Sequence, residues 1–218
     1  MIKAIIGAFI LLLLGLLTFN TPVTRLGSGF LIGDGAHVFT YHDLVKEAEN
    51  LNVKFPNEDD IKAEVVFLDP ASNLAILKLK EVPKVKRLPL VMSRKELGSV
   101  FTLGYPWTNT LEDQHVLIEG FADTASILIE LKMALDPVHS GGPLFNTRQE
   151  VVGMVLLEPH AKAAFPVNGS HHFAIPALLL EKALKTAGIE MTSQPHENLS
   201  REAFISKSRN NIVLIEAR

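Results

Sequence analysis

Cysteine is absent from the 218-residue chain. That excludes disulfide staples, thiolate metal sites and thiol nucleophiles, and it is compatible with an oxidising compartment. A basic surface is missing as well. With 21 Lys and Arg against 24 Asp and Glu, a formal charge of -3, a pI near 6.2 and no cationic stripe, nucleic acid is excluded as the expected partner. There is no internal repeat and no low-complexity tract, so solenoid and linker architectures drop out. The eight histidines show no local His-x-x-x-His spacing, and no resident metal or other cofactor is expected.

What is present begins with an uninterrupted apolar run from Ala4 to Leu17, extended by Thr18 and Phe19. Without a polar face it belongs in lipid, at the short edge of a spanning helix. Leu16-Leu17-Thr18-Phe19-Asn20 puts bulky groups where a signal peptidase needs small ones. An uncleaved anchor over residues 1–20 is therefore expected, crossing the membrane through residues 4–19. Lys3 would hold the amino terminus in the cytoplasm. The remainder of the chain is then expected on the extracytoplasmic side of that membrane.

From Gly27 the texture changes to short β-branched and aromatic segments separated by Gly, Pro, Asn and Asp. Phe30-Leu31-Ile32 and His37 to Thr40 flank a Gly33-Asp34-Gly35 turn, as a hairpin does. Strands are predicted at Leu51 to Phe55, Ala63 to Phe67, Leu74 to Lys80, Ser99 to Leu103, Gln114 to Phe121, Ile127 to Leu131, Val151 to Leu157 and Phe173 to Ile175. So many short strands imply an all-β barrel or sandwich over residues 21–190. Pro176 opens a helix over Ala177 to Lys185, with Gly188 beyond its end. Residues 191–218 read as a C-terminal α/β tail: a polar linker, a short helix after Ser200 and a last strand at Ile212 to Glu216.

One stretch carries chemistry. In Asp136-Pro137-Val138-His139-Ser140-Gly141-Gly142-Pro143-Leu144, a serine is followed by two glycines and a turn that feeds a hydrophobic strand. A nucleophilic serine needs such a frame to hold its hydroxyl clear of the backbone, although the same composition also makes an ordinary turn. Three other stretches are Gly27-Ser28-Gly29-Phe30 with Phe39-Thr40-Tyr41-His42-Asp43-Leu44-Val45, then Asp69-Pro70-Ala71-Ser72-Asn73-Leu74-Ala75, and finally Phe173-Ala174-Ile175-Pro176 before the helix. In this order the four blocks resemble the trypsin-like serine protease fold in its bacterial HtrA/DegP-like branch, over roughly Gly27 to Leu184. The resemblance implies two six-stranded β-barrels with the active site in the cleft between them. No PDZ domain is expected after it.

The resemblance also implies a triad, and the chain departs from it. The family's histidine position is occupied by Asp43, with His42 one place early, and its aspartate position by Asn73. Its first oxyanion donor, normally a glycine, is Val138, and the second is Ser140 itself. A one-residue shift turns a side chain to another face, so His42 needs a local bulge to substitute. An amide in place of the aspartate costs about 10⁴ in turnover. The expectation is a membrane-anchored pseudoprotease that binds peptide or protein without efficient cleavage. Its contacts would be Leu156, Leu157 and Glu158, carried over from the family's peptide-binding edge, and His172. Two alternatives stay open at this point: an active serine endopeptidase using Ser140 with a rearranged His42, and a metal-binding pseudoprotease built on His42, Asp43 and His139.

Overall fold

The structure is a computed structural model. It describes residues 23–56, 58–84, 86–94, 97–104, 115–125, 127–157, 160–161, 172–190 and 199–218. The expected anchor over residues 1–20 lies outside them. Among the described residues no helix is long and apolar enough to cross a membrane.

The first barrel starts with the expected hairpin, β1 (Arg25–Ile32) and β2 (His37–Tyr41). Asp34 holds its turn by accepting from the Ala36 N–H at 2.8 Å. A four-residue helix, α1 (His42–Val45), follows directly. Next come β3 (Leu51–Lys54), β4 (Ile61–Asp69) and β5 (Leu74–Leu79). Between β4 and β5 a 3₁₀ turn, Pro70–Ser72, is capped by Asp69 and ends with Asn73 in the left-handed region, φ 49° and ψ 42°. Asn tolerates that conformation better than most residues.

The second barrel comprises β6 (Gly98–Gly104), β7 (Val116–Ala125), β8 (Leu128–Lys132), β9 (Pro143–Asn146), β10 (Val151–Leu156) and β11 (His172–Pro176). It closes in the order β10-β11-β8-β7-β6-β9. Of these, β9 was not foreseen: four residues after a Gly-Gly-Pro turn are too few to show alternation. The helix α2 (Ala177–Ala187) ends on Gly188, as its sequence signals require.

The C-terminal residues form the expected short helix and last strand, and the strand is built into the first barrel. Helix α3 (Arg201–Ser208), capped by Ser200, drives Phe204 edge-on into Phe145 at 5.2 Å. Asn211 then brackets Leu88 in the connection between the barrels, donating to its carbonyl at 2.8 Å and accepting from its N–H at 2.9 Å. Strand β12 (Ile212–Ala217) inserts between β1 and β3, antiparallel to both. The first barrel therefore closes as β1-β12-β3-β4-β5-β2. The place beside β1 is filled by a segment far later in the chain.

All six residues of β12 are buried. Burying each of its large aliphatic side chains contributes about 1.5–3 kcal/mol, against roughly 1–2 kcal/mol of backbone ordering per residue. One of the six is charged. Glu216 accepts from Lys54 on β3 at 3.0 Å and also pairs with Arg218. The Lys54 hydrogen bond holds the Glu216 carboxyl below its ordinary range, outweighing burial, which pushes it up.

Two measurements test this closure. Ile215→Ala, opposite Gly27 and Val53 in the registers of β12, should cost about 2–5 kcal/mol in urea unfolding with an unchanged m-value. Because the folded carboxyl of Glu216 is depressed, its pairing stabilises the fold above the ordinary value of 4.5 and the contribution is lost as pH falls through the folded value. Glu216→Gln should therefore lower the melting temperature at pH 7, and the gap to the parent protein should shrink as the solution is acidified below about pH 4.

Candidate functional site

The site lies where the end of β2, the β4–β5 turn, the loop before β9 and the residues after β10 meet. Chain direction places the first two together. The β2–β5 ladder runs without a bulge to Tyr41 opposite Leu74. His42 and Asp43 therefore start α1 beside Asn73, and the His42 N–H donates to the Asn73 carbonyl at 3.1 Å.

Asp43 and Asn73 clasp each other. The Asp43 N–H donates to Asn73 Oδ1 at 3.0 Å, and Asn73 Nδ2 donates to Asp43 Oδ2 at 3.1 Å. The other carboxylate oxygen faces Lys46 Nζ at 2.9 Å and His42 Nδ1 at 3.4 Å. Burial pushes the Asp43 carboxyl up, but Lys46, the Asn73 amide and His160 together hold it below its usual range. Asp43 is thus a pinned carboxylate, and a poorer proton acceptor than an ordinary one.

His160 joins this clasp from the second barrel. Its Nδ1 stands 3.8 Å from Asp43 Oδ2, its ring lies 4.7 Å from that of Tyr41, and its carbonyl accepts from Asn73 Nδ2 at 3.0 Å. Burial lowers its pKa despite the neighbouring carboxylate. Burial and Asp43 both raise that of Tyr41. From sequence His160 reads only as a loop residue. It lies 87 positions from Asn73, and no local spacing relates the two.

Ser140 is fully buried. It follows a 3₁₀ turn, Pro137–His139, and its own N–H is used by the Pro137 carbonyl at 3.2 Å. The hydroxyl Oγ accepts from the Leu157 N–H at 3.0 Å. Among the described residues, no imidazole hydrogen-bonds this hydroxyl. The loop is sewn to the first barrel as well: the Ser28 N–H donates to the Ser140 carbonyl at 2.9 Å, and Ser28 Oγ to the Val138 carbonyl at 2.6 Å. Gly141, at φ +90°, leaves no room for a side chain, since a Cβ would lie 2.1 Å from the Ser28 oxygen. Val138 packs on Leu214 of β12. That contact gives the β-branched residue at the oxyanion position a structural role.

Of the peptide-binding residues expected around the end of β10, Leu156 and Leu157 are engaged within the fold. Leu156 is buried and pairs with Phe173 of β11. The Leu157 carbonyl accepts from the N–H groups of His160 at 3.1 Å and Ala161 at 3.0 Å, so part of this edge is capped by the chain itself. Glu158 lies outside the described residues. His172 opens β11 opposite Leu131.

The set proposed for a metal does not form. His139 turns its Nδ1 to the Asp136 backbone at 3.1 Å and lays its ring against Gly104. Among the described residues no group of three or more His, Asp or Glu side chains is arranged to hold a metal ion.

Comparison with known proteins supports the double-barrel fold. A family model described as a trypsin-like peptidase domain matches residues 27–154. A Pseudomonas putida (strain GB-1) protein named "Probable periplasmic serine endoprotease DegP-like" is 32% identical over 139 residues, covering 59% of this chain and 28% of that protein. A protein of the same name from Pseudomonas fluorescens is 29% identical over 177 residues, covering 75% of this chain and 36% of its own length. The chain thus spans little more than a quarter to a third of the length of these relatives. Among solved structures, the serine endoprotease from Yersinia pestis superposes with a TM-score of 0.62 at 23% identity, over 77% of this chain and 59% of that one.

The clasp has a testable consequence. Asn73→Asp would restore the acid of the family pattern, yet it sets a second carboxylate against Asp43 and removes the donor to the His160 carbonyl. One of the two acids must then have a raised pKa in the folded state, which destabilises the fold at neutral pH and is relieved by protonation. We expect a loss of about 2 kcal/mol or more at pH 7 in urea titration, narrowing as pH approaches about 4.

Proposed function

The chain belongs to the trypsin-like peptidase domain family, and on that premise we propose that it holds polypeptide between its two barrels without cutting it. The observation that carries this reading is the state of Ser140. Its hydroxyl accepts from Leu157, its amide N–H is spent on Pro137, and it is sealed from solvent.

Acyl transfer needs three things from such a site: a base on the serine, a group to orient that base, and free N–H donors for the oxyanion. At the position of the base stands Asp43. An ordinary aspartate is already about 2.6 pKa units, or roughly 3.5 kcal/mol, less basic than histidine, and Asp43 is held lower still. Its partner Asn73 supplies an amide where the family pattern has a charge. Loss of the triad's function costs on the order of 10⁶ in turnover.

Support for the binding half comes from the relatives, which are named endoproteases and so act on polypeptide. A peptide laid along Leu156, Leu157, Glu158 and His172 competes with the turn at His160 and Ala161 for the Leu157 carbonyl. Such competition lowers affinity by the fraction of molecules in which the edge is free. We further propose that the β domain works on the periplasmic side of a bacterial inner membrane, tethered through residues 4–19. The apolar run and the periplasmic relatives support that placement.

The full chain should leave casein intact, and a fluorophosphonate probe should not label Ser140, while a fluorescent unfolded polypeptide binds measurably by anisotropy. Casein hydrolysis that disappears in Ser140→Ala would overturn the proposal.

A further inference from the structure

At the end of β10 the backbone turns toward Ser140 at every second residue, because alternate residues of a strand point their N–H and C=O groups to opposite neighbours. Val155 directs both groups to the Ser140 loop, donating to the Gly142 carbonyl and accepting from the Gly141 N–H, each at 2.8 Å. Leu156 pairs with Phe173 of β11. Leu157 therefore faces the Ser140 side again, and its N–H donates to Ser140 Oγ at 3.0 Å. An added strand would continue its ladder on the Leu157 carbonyl. The chain fills that place itself, with the N–H groups of His160 at 3.1 Å and Ala161 at 3.0 Å. Both lone pairs of the carbonyl are thus occupied, and an incoming N–H must displace the turn.

The turn that carries these two donors is held by the first barrel. Asn73 Nδ2 donates to the His160 carbonyl at 3.0 Å. The orientation of this amide is fixed: Oδ1 accepts from the Asp43 N–H at 3.0 Å, and Nδ2 gives its second hydrogen to Asp43 Oδ2 at 3.1 Å. The His160 ring rests against Tyr41, and Ala161 is fully buried. The path from Asn73 to the Leu157 carbonyl runs through the His160 peptide.

We propose that Asn73 latches an internal occupant of the binding edge: it positions the His160 and Ala161 N–H groups on the Leu157 carbonyl and so keeps polypeptide off until the turn is displaced. The proposal rests on the polypeptide-binding reading and adds its regulation. The latched and bound states exclude each other. Removing a hydrogen bond made only in the latched state raises the fraction of open molecules, and the apparent affinity rises by the same factor.

The test uses the full chain, fluorescein-labelled casein as ligand, and two variants. Asn73→Ala removes the donor to the His160 carbonyl, and His160→Pro removes one of the two N–H donors to Leu157. By anisotropy, each variant should bind about fivefold more tightly than the parent, although urea titration shows it to be less stable. Loss of a residue that only supports the fold would lower both quantities. Hydrogen exchange supplies a second readout: the Ala161 amide should exchange faster in Asn73→Ala, and casein should accelerate it in the parent. If the parent binds casein and both variants bind equally or more weakly, the latch fails and the polypeptide reading stands. If casein binds no form of the protein while Asn73→Ala still speeds Ala161 exchange, the hold of Asn73 on the turn stands and the polypeptide reading fails. No binding and no change in exchange overturns both.

Discussion

Closure of the first barrel by β12 is the constraint on which much of the rest depends. A β-barrel that lacks one strand exposes two open edges, and here the gap between β1 and β3 is filled by β12. The route to that gap crosses the molecule. Phe204 packs into the second barrel, Asn211 fastens the connection at Leu88, and β12 enters the first barrel. The C-terminal segment thereby ties the two barrels together. It also reaches the Ser140 loop, because Leu214 packs on Val138.

The Asp43–Asn73 pair follows a related logic. Here Asp43 and Asn73 spend their hydrogen bonds on each other and on His160, which comes from the second barrel. Both residues fasten the first barrel to the loop that carries His160. On the other side of the cleft Leu157 links the same parts, donating to Ser140 and accepting from the turn that carries His160. The clasp and the sealed serine thus belong to one hydrogen-bonded assembly, in which the Leu157 N–H holds the hydroxyl and, among the described residues, no imidazole does.

Much of this architecture was legible before the structure. The hairpin at Gly33-Asp34-Gly35 and the helix between Pro176 and Gly188 are local, and their chemistry fixes the backbone within a few residues. For Asp43 and Asn73 the resemblance supplied an expectation about their positions, and the structure shows that the two are hydrogen-bonded to each other. Strand β9 was missed because four residues carry no readable period. The partnership of His160 with Asp43 was missed because it depends on where a distant loop lands.

Local order and the residue types at the triad positions are properties of sequence, because turn conformations, caps and side-chain basicity act over a few bonds. Which strand fills the gap in the first barrel, which hydrogen bond occupies Ser140, and which residue holds the turn on the Leu157 carbonyl were decided only by the tertiary structure. These features join residues far apart in the chain, and only the packed fold brings their surfaces together.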